Sequence, residues 1–263
     1  MIFELTIPGR WLVMDDRRAA WEITGLIEHM KGAFFSANIS LCDFNNSKTV
    51  SRAMNNKSDR LAMREERNRR SSEMYGKRYA QLGQLGGKRA RELMDEIDLD
   101  IRREDWARGI EPDSFTRKRS FIYAKSFVYS LDDFSNFLKI FSSMDQVPST
   151  ISLIRQELIK KFPDLRDVRN AAHHPEDRMR GIKNEKGKDV LIDIQPVDNG
   201  FFKSLGGSII NENLLGTRFT VLMVDGTQGD IDINQSTLAY FRDVFHLVVN
   251  EFKWTGGKVV EPR

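Results

Sequence analysis

The residues best equipped for chemistry in this chain stand together at Arg169-Asn170-Ala171-Ala172-His173-His174-Pro175. Arg169 is a fixed cation whose planar fork matches phosphate oxygens two at a time, and His173 and His174 carry imidazoles that exchange protons near neutrality. That pairing suits a phosphodiester. RNA brings its own nucleophile, the 2′-hydroxyl, so a site that only orients the phosphate and moves protons can cleave it without a metal.

The element that must position these groups is a short helix over residues 164–173. Asp164 is expected as its N-cap, with Asp167 three residues on as the acid of a capping box. Such a helix sets Arg169 and His173 four residues apart on one face. His174 precedes Pro175, which disfavours the α region for it and places it at or just beyond the helix end. Either imidazole is then able to face Arg169. The plainer reading of the same residues is a helix terminus with solvated polar groups, in which Arg169 pairs with Asp164, Asp167 or Glu176 and a histidine interacts with the macrodipole.

Arg169, four intervening residues and His174, with Asn170 directly after the arginine, resemble the Arg-x(4 to 6)-His signature of the HEPN superfamily, the helical-bundle domains of higher eukaryote and prokaryote nucleotide-binding proteins. The resemblance covers one helix end and a general helical context. It implies metal-independent endoribonuclease activity from a composite site in which two such domains join their motifs, often in a toxin or antiviral-defence effector. Carried over residue by residue, Arg169 and His174 are the catalytic pair, Asn170 is their polar partner, and His173 competes with His174. One branch of the family has a tyrosine two residues after the histidine; here Glu176 stands there. A single motif and no internal repeat then imply a homodimer, and the family setting implies a possible inhibitory or sensor protein partner. The alternative function is a catalytically inactive bundle of the same kind that binds nucleic acid or a partner protein. A metal hydrolase built on His173, His174 and Glu176 is disfavoured, because adjacent histidines beside a proline cannot easily share one ion. No cofactor or metal is expected.

Composition supports a folded protein: 263 residues, 40% hydrophobic and 10% aromatic with 17 Phe and 4 Trp, are ample for a core plus an insertion. The formal charge of +3 says little about nucleic acid. Cys42 is the one cysteine, which excludes an intrachain disulfide framework and a cysteine-based zinc cluster. No stretch has the length of a membrane span, and residues 1–16 lack a basic region followed by an apolar signal core, so the expected compartment is the cytoplasm.

Apolar residues recur at helical spacing in four segments: Ala20 to Ala37, Phe121 to Phe141, Ile151 to Phe162 and Leu238 to Phe252. His29 and His246 fall inside two of them, where packing is the expected role. Together with the motif helix these stripes describe a mainly α fold, an antiparallel HEPN-like helical bundle forming a single domain over 1–263. Two stretches interrupt it. Residues 45–113 form a charged helical extension: from Arg52 to Arg91 there are twelve bases against four acids, and from Glu92 to Asp113 nine acids against three bases. Its basic half, with Arg64, Arg67, Arg69, Arg70, Lys77, Arg78, Lys88 and Arg89 interleaved with Met63, Met74, Tyr75 and Tyr79, is expected to track an RNA backbone and offer stacking faces. The competing expectation is a solvated helix that partly neutralises the acidic run. Gly83, Gly86 and Gly87 before Lys88 lack the spacing of a phosphate-binding loop. Residues 188–233 change to a strand pattern, with Val190–Ile194, Arg218–Val224 and Asp230–Ile233 punctuated by Asn199-Gly200 and Asp225-Gly226, a small antiparallel β-meander insertion needing a surface to pack on.

Overall fold

The periodic segments fold as predicted from their spacing. In chain order the elements are β1 (Leu5–Ile7), β2 (Trp11–Leu12), α1 (Arg17–Met54), α2 (Lys57–Leu82), α3 (Gly87–Ala107), α4 (Asp113–Phe141), α5 (Thr150–Lys161), α6 (Leu165–His173) and α7 (Pro175–Met179). Strands follow, β3 (Ile182–Glu185), β4 (Lys188–Leu191), β5 (Val197–Asp198), β6 (Lys203–Ser204), β7 (Asn213–Leu215), β8 (Arg218–Leu222) and β9 (Gln228–Asp232), and the chain closes with α8 (Gln235–Asn250), β10 (Trp254–Thr255) and β11 (Val259–Glu261). This computed structural model describes residues 2–54, 57–82, 87–198, 203–204 and 212–262; side chains at 50–57, 59 and 60 lie outside that description. The chain is mainly helical, 63% of it, with small antiparallel sheets. Two compact units divide it: Met1–Phe44 with Phe121–Arg263, and Asn45–Ser120. The second begins where the charged extension was expected to begin and runs to Ser120 rather than 113.

In the first unit, the stripes Ile23, Ile27, Met30 and Phe34 of α1, Ala124, Val128, Leu131 and Phe134 of α4, and Phe241, Phe245 and Val248 of α8 meet in one continuous core. Phe134 meets Phe241 edge-on with ring centroids 5.3 Å apart, and each such fully buried side chain is worth roughly 1.5–3 kcal/mol. His29 stacks on Phe137 at 5.0 Å. His246 accepts a hydrogen bond from the backbone N–H of Thr6 at 3.0 Å, which requires the neutral imidazole.

Burial lowers the His246 pKa from its ordinary 6.5, reinforced by Arg242 and Lys258 and opposed by Asp243. The unfolded chain therefore takes up this proton first as pH falls. The bond's contribution is complete above about pH 6.5 and is lost as pH drops from there through the lowered folded value. His246→Gln, which keeps an acceptor that does not titrate, is expected to reduce the fall in melting temperature between pH 7 and pH 5 by a few °C relative to the wild type. Parallel melting curves for the two proteins would refute the assignment.

The three-stranded antiparallel sheet β7-β8-β9 occupies the end of the expected meander, with Phe219 opposite Ile231 and Thr220 opposite Asp230. Asp225-Gly226 makes its tight turn: Gly226 has φ +87°, and a Cβ there would lie 1.8 Å from the Asp193 carbonyl oxygen. The Asn199-Gly200 turn lies outside the described residues. Val190–Ile194 is not one strand as predicted. β4 stops at Leu191: Ile192 N–H still donates to Gly181 O in the β3 register, but beyond it the chain turns away and Gln195 N–H donates to Gly226 O. β4 pairs with β3, which begins upstream of the predicted boundary at 188. The pairs β1 with β11 and β2 with β10 were not foreseen.

The second unit pairs α2 with α3 over a small core of Leu93, Ile97 and Ile101, against which Met74 and Tyr75 pack. Opposite charges then lie side by side. Arg70 reaches Glu104 and Asp105, both at 2.5 Å, Arg67 reaches Asp98 at 2.6 Å and Arg78 reaches Asp100 at 2.6 Å.

Candidate functional site

α6 carries the motif on a surface set by the sheet behind it. Leu165, Val168, Ala171 and Ala172 are buried, and β8 and β9 pack beneath them. The close approach needs Gly229 in β9: a Cβ there would stand 2.8 Å from Val168 Cγ2 and 2.4 Å from Met223 Sδ. The opposite face of α6 presents Arg166, Arg169 and His173, at spacings of three and four residues.

The start of α6 departs from the predicted capping box. Asp164 has helical backbone angles, φ −89° and ψ −5°, and its side chain makes no capping bond. An N-cap needs extended backbone to swing its carboxylate over the first N–H groups, and a residue already in the α region cannot do so. The helix end follows the predicted break: His174 leaves helical geometry at φ −118° and ψ 59° before Pro175 opens α7, and its N–H still donates to Asn170 O at 3.2 Å.

Arg169 pairs with neither Asp164, Asp167 nor Glu176. Its neighbours come from α4, where Lys125, Tyr129, Asp132 and Asn136 share one face at spacings of four, three and four. The Arg169 guanidinium lies over the Tyr129 ring at 5.4 Å. The same ring meets His173 edge-on at 6.2 Å, and His173 meets His174 at 4.9 Å. Arg169, Tyr129 and the two imidazoles thus form one contiguous row, and among the described residues no hydrogen bond or ion pair joins Arg169 to either histidine. Tyr129 is held above its usual pKa by burial, with Arg169 opposing and Glu212 reinforcing.

Beneath the row sits Asp132, only 2% exposed. Its Oδ2 accepts from Arg166 Nη1 at 2.7 Å and from Asn136 Nδ2 at 3.1 Å, and lies 3.5 Å from Arg169 Nε. Burial pushes the Asp132 carboxyl above its ordinary range, while Arg166, Asn136 and Arg169 pull it down. The Arg169 Nε is buried without a hydrogen bond, and Nη1 makes a single long one of 3.4 Å to Asn170 Oδ1. Among the described residues this guanidinium therefore makes one long hydrogen bond beside its ion pair with Asp132, leaving most of its five N–H donors without a hydrogen bond.

On the outer side, His174 Nδ1 lies 3.5 Å from Glu176 Oε1. Glu176 is held below its usual pKa, first by its own backbone N–H and then by His174 and His173. Ligand atoms of His174, Glu176 and Asp177 fall within 4.8 Å of one another. His173 is not part of that group, so the donor set differs from the one weighed in the sequence.

The basic residues of the extension separate into two groups. Arg67, Arg69, Arg70, Arg78 and Arg89 form ion pairs with Asp98, Glu66 and Glu73, Glu104 and Asp105, Asp100, and Glu92 and Glu96 respectively. Arg64, Lys77 and Lys88 are exposed and carry no ion pair among the described residues. Tyr75 and Tyr79 stack on each other at 5.6 Å, and Met63 is exposed.

Tyr129, Asp132 and Arg166 are absent from the sequence-based site. A signal for the first two was present: in α4 the polar or half-polar positions 125, 129, 132 and 136 recur at helical spacing on one face. Compared with models of known protein families, with curated proteins and with solved structures, the chain matches none. Among the described residues no helix is long and apolar enough to cross a membrane.

Proposed function

We propose that the chain is a metal-independent nuclease acting on RNA through its 2′-hydroxyl, of the HEPN type, working as a homodimer. The observation that carries this reading is Arg169: a fixed cation with most of its donors making no hydrogen bond among the described residues, in a row with His173 and His174 at a helix end. In the reaction one imidazole takes the 2′-hydroxyl proton as the 2′-oxygen bonds to phosphorus. The 5′-oxygen leaves and takes a proton from the second imidazole, and Arg169 stabilises the charge building on the phosphoryl oxygens. The products are a 2′,3′-cyclic phosphate and a 5′-hydroxyl. One chain supplies one such arginine, so two copies complete the site.

His174 is the first choice for the proton carrier, since it stands outside the helix where its ring can meet a second protomer. Asn170 steadies Arg169. Asp132 is a positioning residue, holding Arg166 and Arg169 on one carboxylate oxygen. In the extension, Arg64, Lys77 and Lys88 are the residues proposed to attract RNA; Arg67, Arg70 and Arg78 serve the α2–α3 contact, and Arg69 and Arg89 pair with acids of their own helices. A toxin or defence setting, with an inhibitory or sensor partner, fits this activity.

The test is cleavage of a single-stranded RNA in EDTA, beside the same strand carrying one 2′-deoxy nucleotide. Cutting is expected to persist in chelator, to leave cyclic phosphate ends and to skip the deoxy position. Loss of activity in EDTA would favour the His174, Glu176 and Asp177 donors and a metal-dependent hydrolase instead. Cutting at the deoxy position would remove 2′-hydroxyl attack.

A further inference from the structure

A second feature lies on the α4 and α5 side of the motif. A cleft of about 250 Å³ opens between α4, α5 and the start of α6, with Lys139, Arg155 and Arg166 on its walls and Ile159 and Phe162 among its apolar lining. Among the described residues neither Lys139 nor Arg155 has an acidic partner. Arg166 spends Nη1 on Asp132 and Asn136, and its side chain remains 57% exposed. The one carboxylate lining the cleft, Asp132, is buried and already committed to those contacts.

We propose that this cleft holds a backbone phosphate of the RNA strand adjacent to the one being cleaved. The inference rests on the RNA reading of the motif and adds the direction in which the strand leaves it. Arg166 and Arg169 share a single oxygen, Asp132 Oδ2, at 2.7 and 3.5 Å, so their guanidinium groups are neighbours and one strand can contact both. Beyond Arg166 the cleft offers Arg155 and Lys139, cations without an acidic partner among the described residues, which guide the strand from Arg169 past Arg166 toward them. The apolar lining beside them offers a base a surface away from water.

Binding of a fluorescent 2′-O-methyl oligonucleotide, which cannot be cleaved by 2′-oxygen attack, tests this by anisotropy over a series of salt concentrations. Lys139→Ala/Arg155→Ala is expected to weaken binding about tenfold or more at low salt and to reduce the slope of log K against log salt by about 0.7 per lost contact. Lys139→Gln/Arg155→Gln, which keeps most of the side-chain bulk, is expected to behave alike, with circular dichroism as the folding check. Unchanged affinity and slope in both folded variants would overturn the proposal. Displacement of the strand by poly-glutamate as effectively as by unlabelled oligonucleotide would overturn it too, assigning the cleft to acidic protein segments. Because binding is read on an uncleavable probe and cleavage on an unmodified strand, an inactive motif and an irrelevant cleft give different results: no cleavage of the unmodified strand by the wild type in the first case, unaltered probe binding by the variants in the second.

Discussion

Arg169→Ala and His174→Ala are each expected to lower cleavage of single-stranded RNA by about 10²-fold or more, with melting temperatures close to that of the wild type. The size follows from the roles. General acid–base catalysis contributes about 10²–10⁴, and a donor aimed at developing negative charge contributes about 10²–10³. The retained stability follows from the surroundings: without Arg169, Asp132 still has Arg166 at 2.7 Å and Asn136 at 3.1 Å, and His174 is half exposed outside the helix. Arg169→Lys is expected to rescue little, because a point charge cannot make the planar two-point contact. His173→Ala separates the imidazoles. His173 rests on Tyr129 beside Arg169, so if it proves the more damaging change, it is the proton carrier and His174 its neighbour. Wild-type cleavage by Arg169→Ala and by both histidine variants would remove the ribonuclease reading and leave a bundle that binds without cutting.

Gly229→Ala is the second large expected effect, and it acts from beneath the site. The added methyl would sit 2.8 Å from Val168 Cγ2 and 2.4 Å from Met223 Sδ. The thioether can swing aside, whereas a valine on a helix has almost one rotamer. Relief must come from α6 lifting off β9, and overpacking of this kind costs about 1–3 kcal/mol. Arg169 directly follows Val168, so cleavage should fall together with stability. Val168→Ala in the same chain makes room and should restore both. A Gly229→Ala protein as stable and active as the wild type would show that the sheet does not set the position of the motif helix.

The sequence resolved the motif helix and its break at His174 because both are local: apolar spacing marks the buried face and Pro175 marks the end. It could not show which partner Arg169 takes. Asp164, Asp167 and Glu176 are near in sequence, but Asp132 is near in space, brought there by the packing of α4. Asp132 and Asp133 are chemically identical neighbours in sequence, and only helix phase buries one and exposes the other. The charge segregation of the extension was visible, and its meaning depended on α2 lying against α3, which puts Arg70 on Glu104 and Asp105. A run of bases that attracts RNA in an isolated helix is largely neutralised once the acidic helix folds beside it. The terminal strands escaped notice for a related reason: two- and three-residue strands have little pattern of their own, and their partners lie at the other end of the chain.

That pairing of distant ends sets when the fold can close during synthesis. Leu5 waits for Glu261, Trp11 for Thr255, and the Thr6 backbone for His246, 240 positions downstream. α2 and α3, in contrast, find their contacts locally and can form while synthesis is still under way. At about 5–20 residues per second, the first strands spend some ten seconds or more without partners. The core of the motif-bearing unit stays unsealed for that time, although α6 has already emerged. On the proposed ribonuclease reading, the motif helix is thus made well before the strands that close the fold around it.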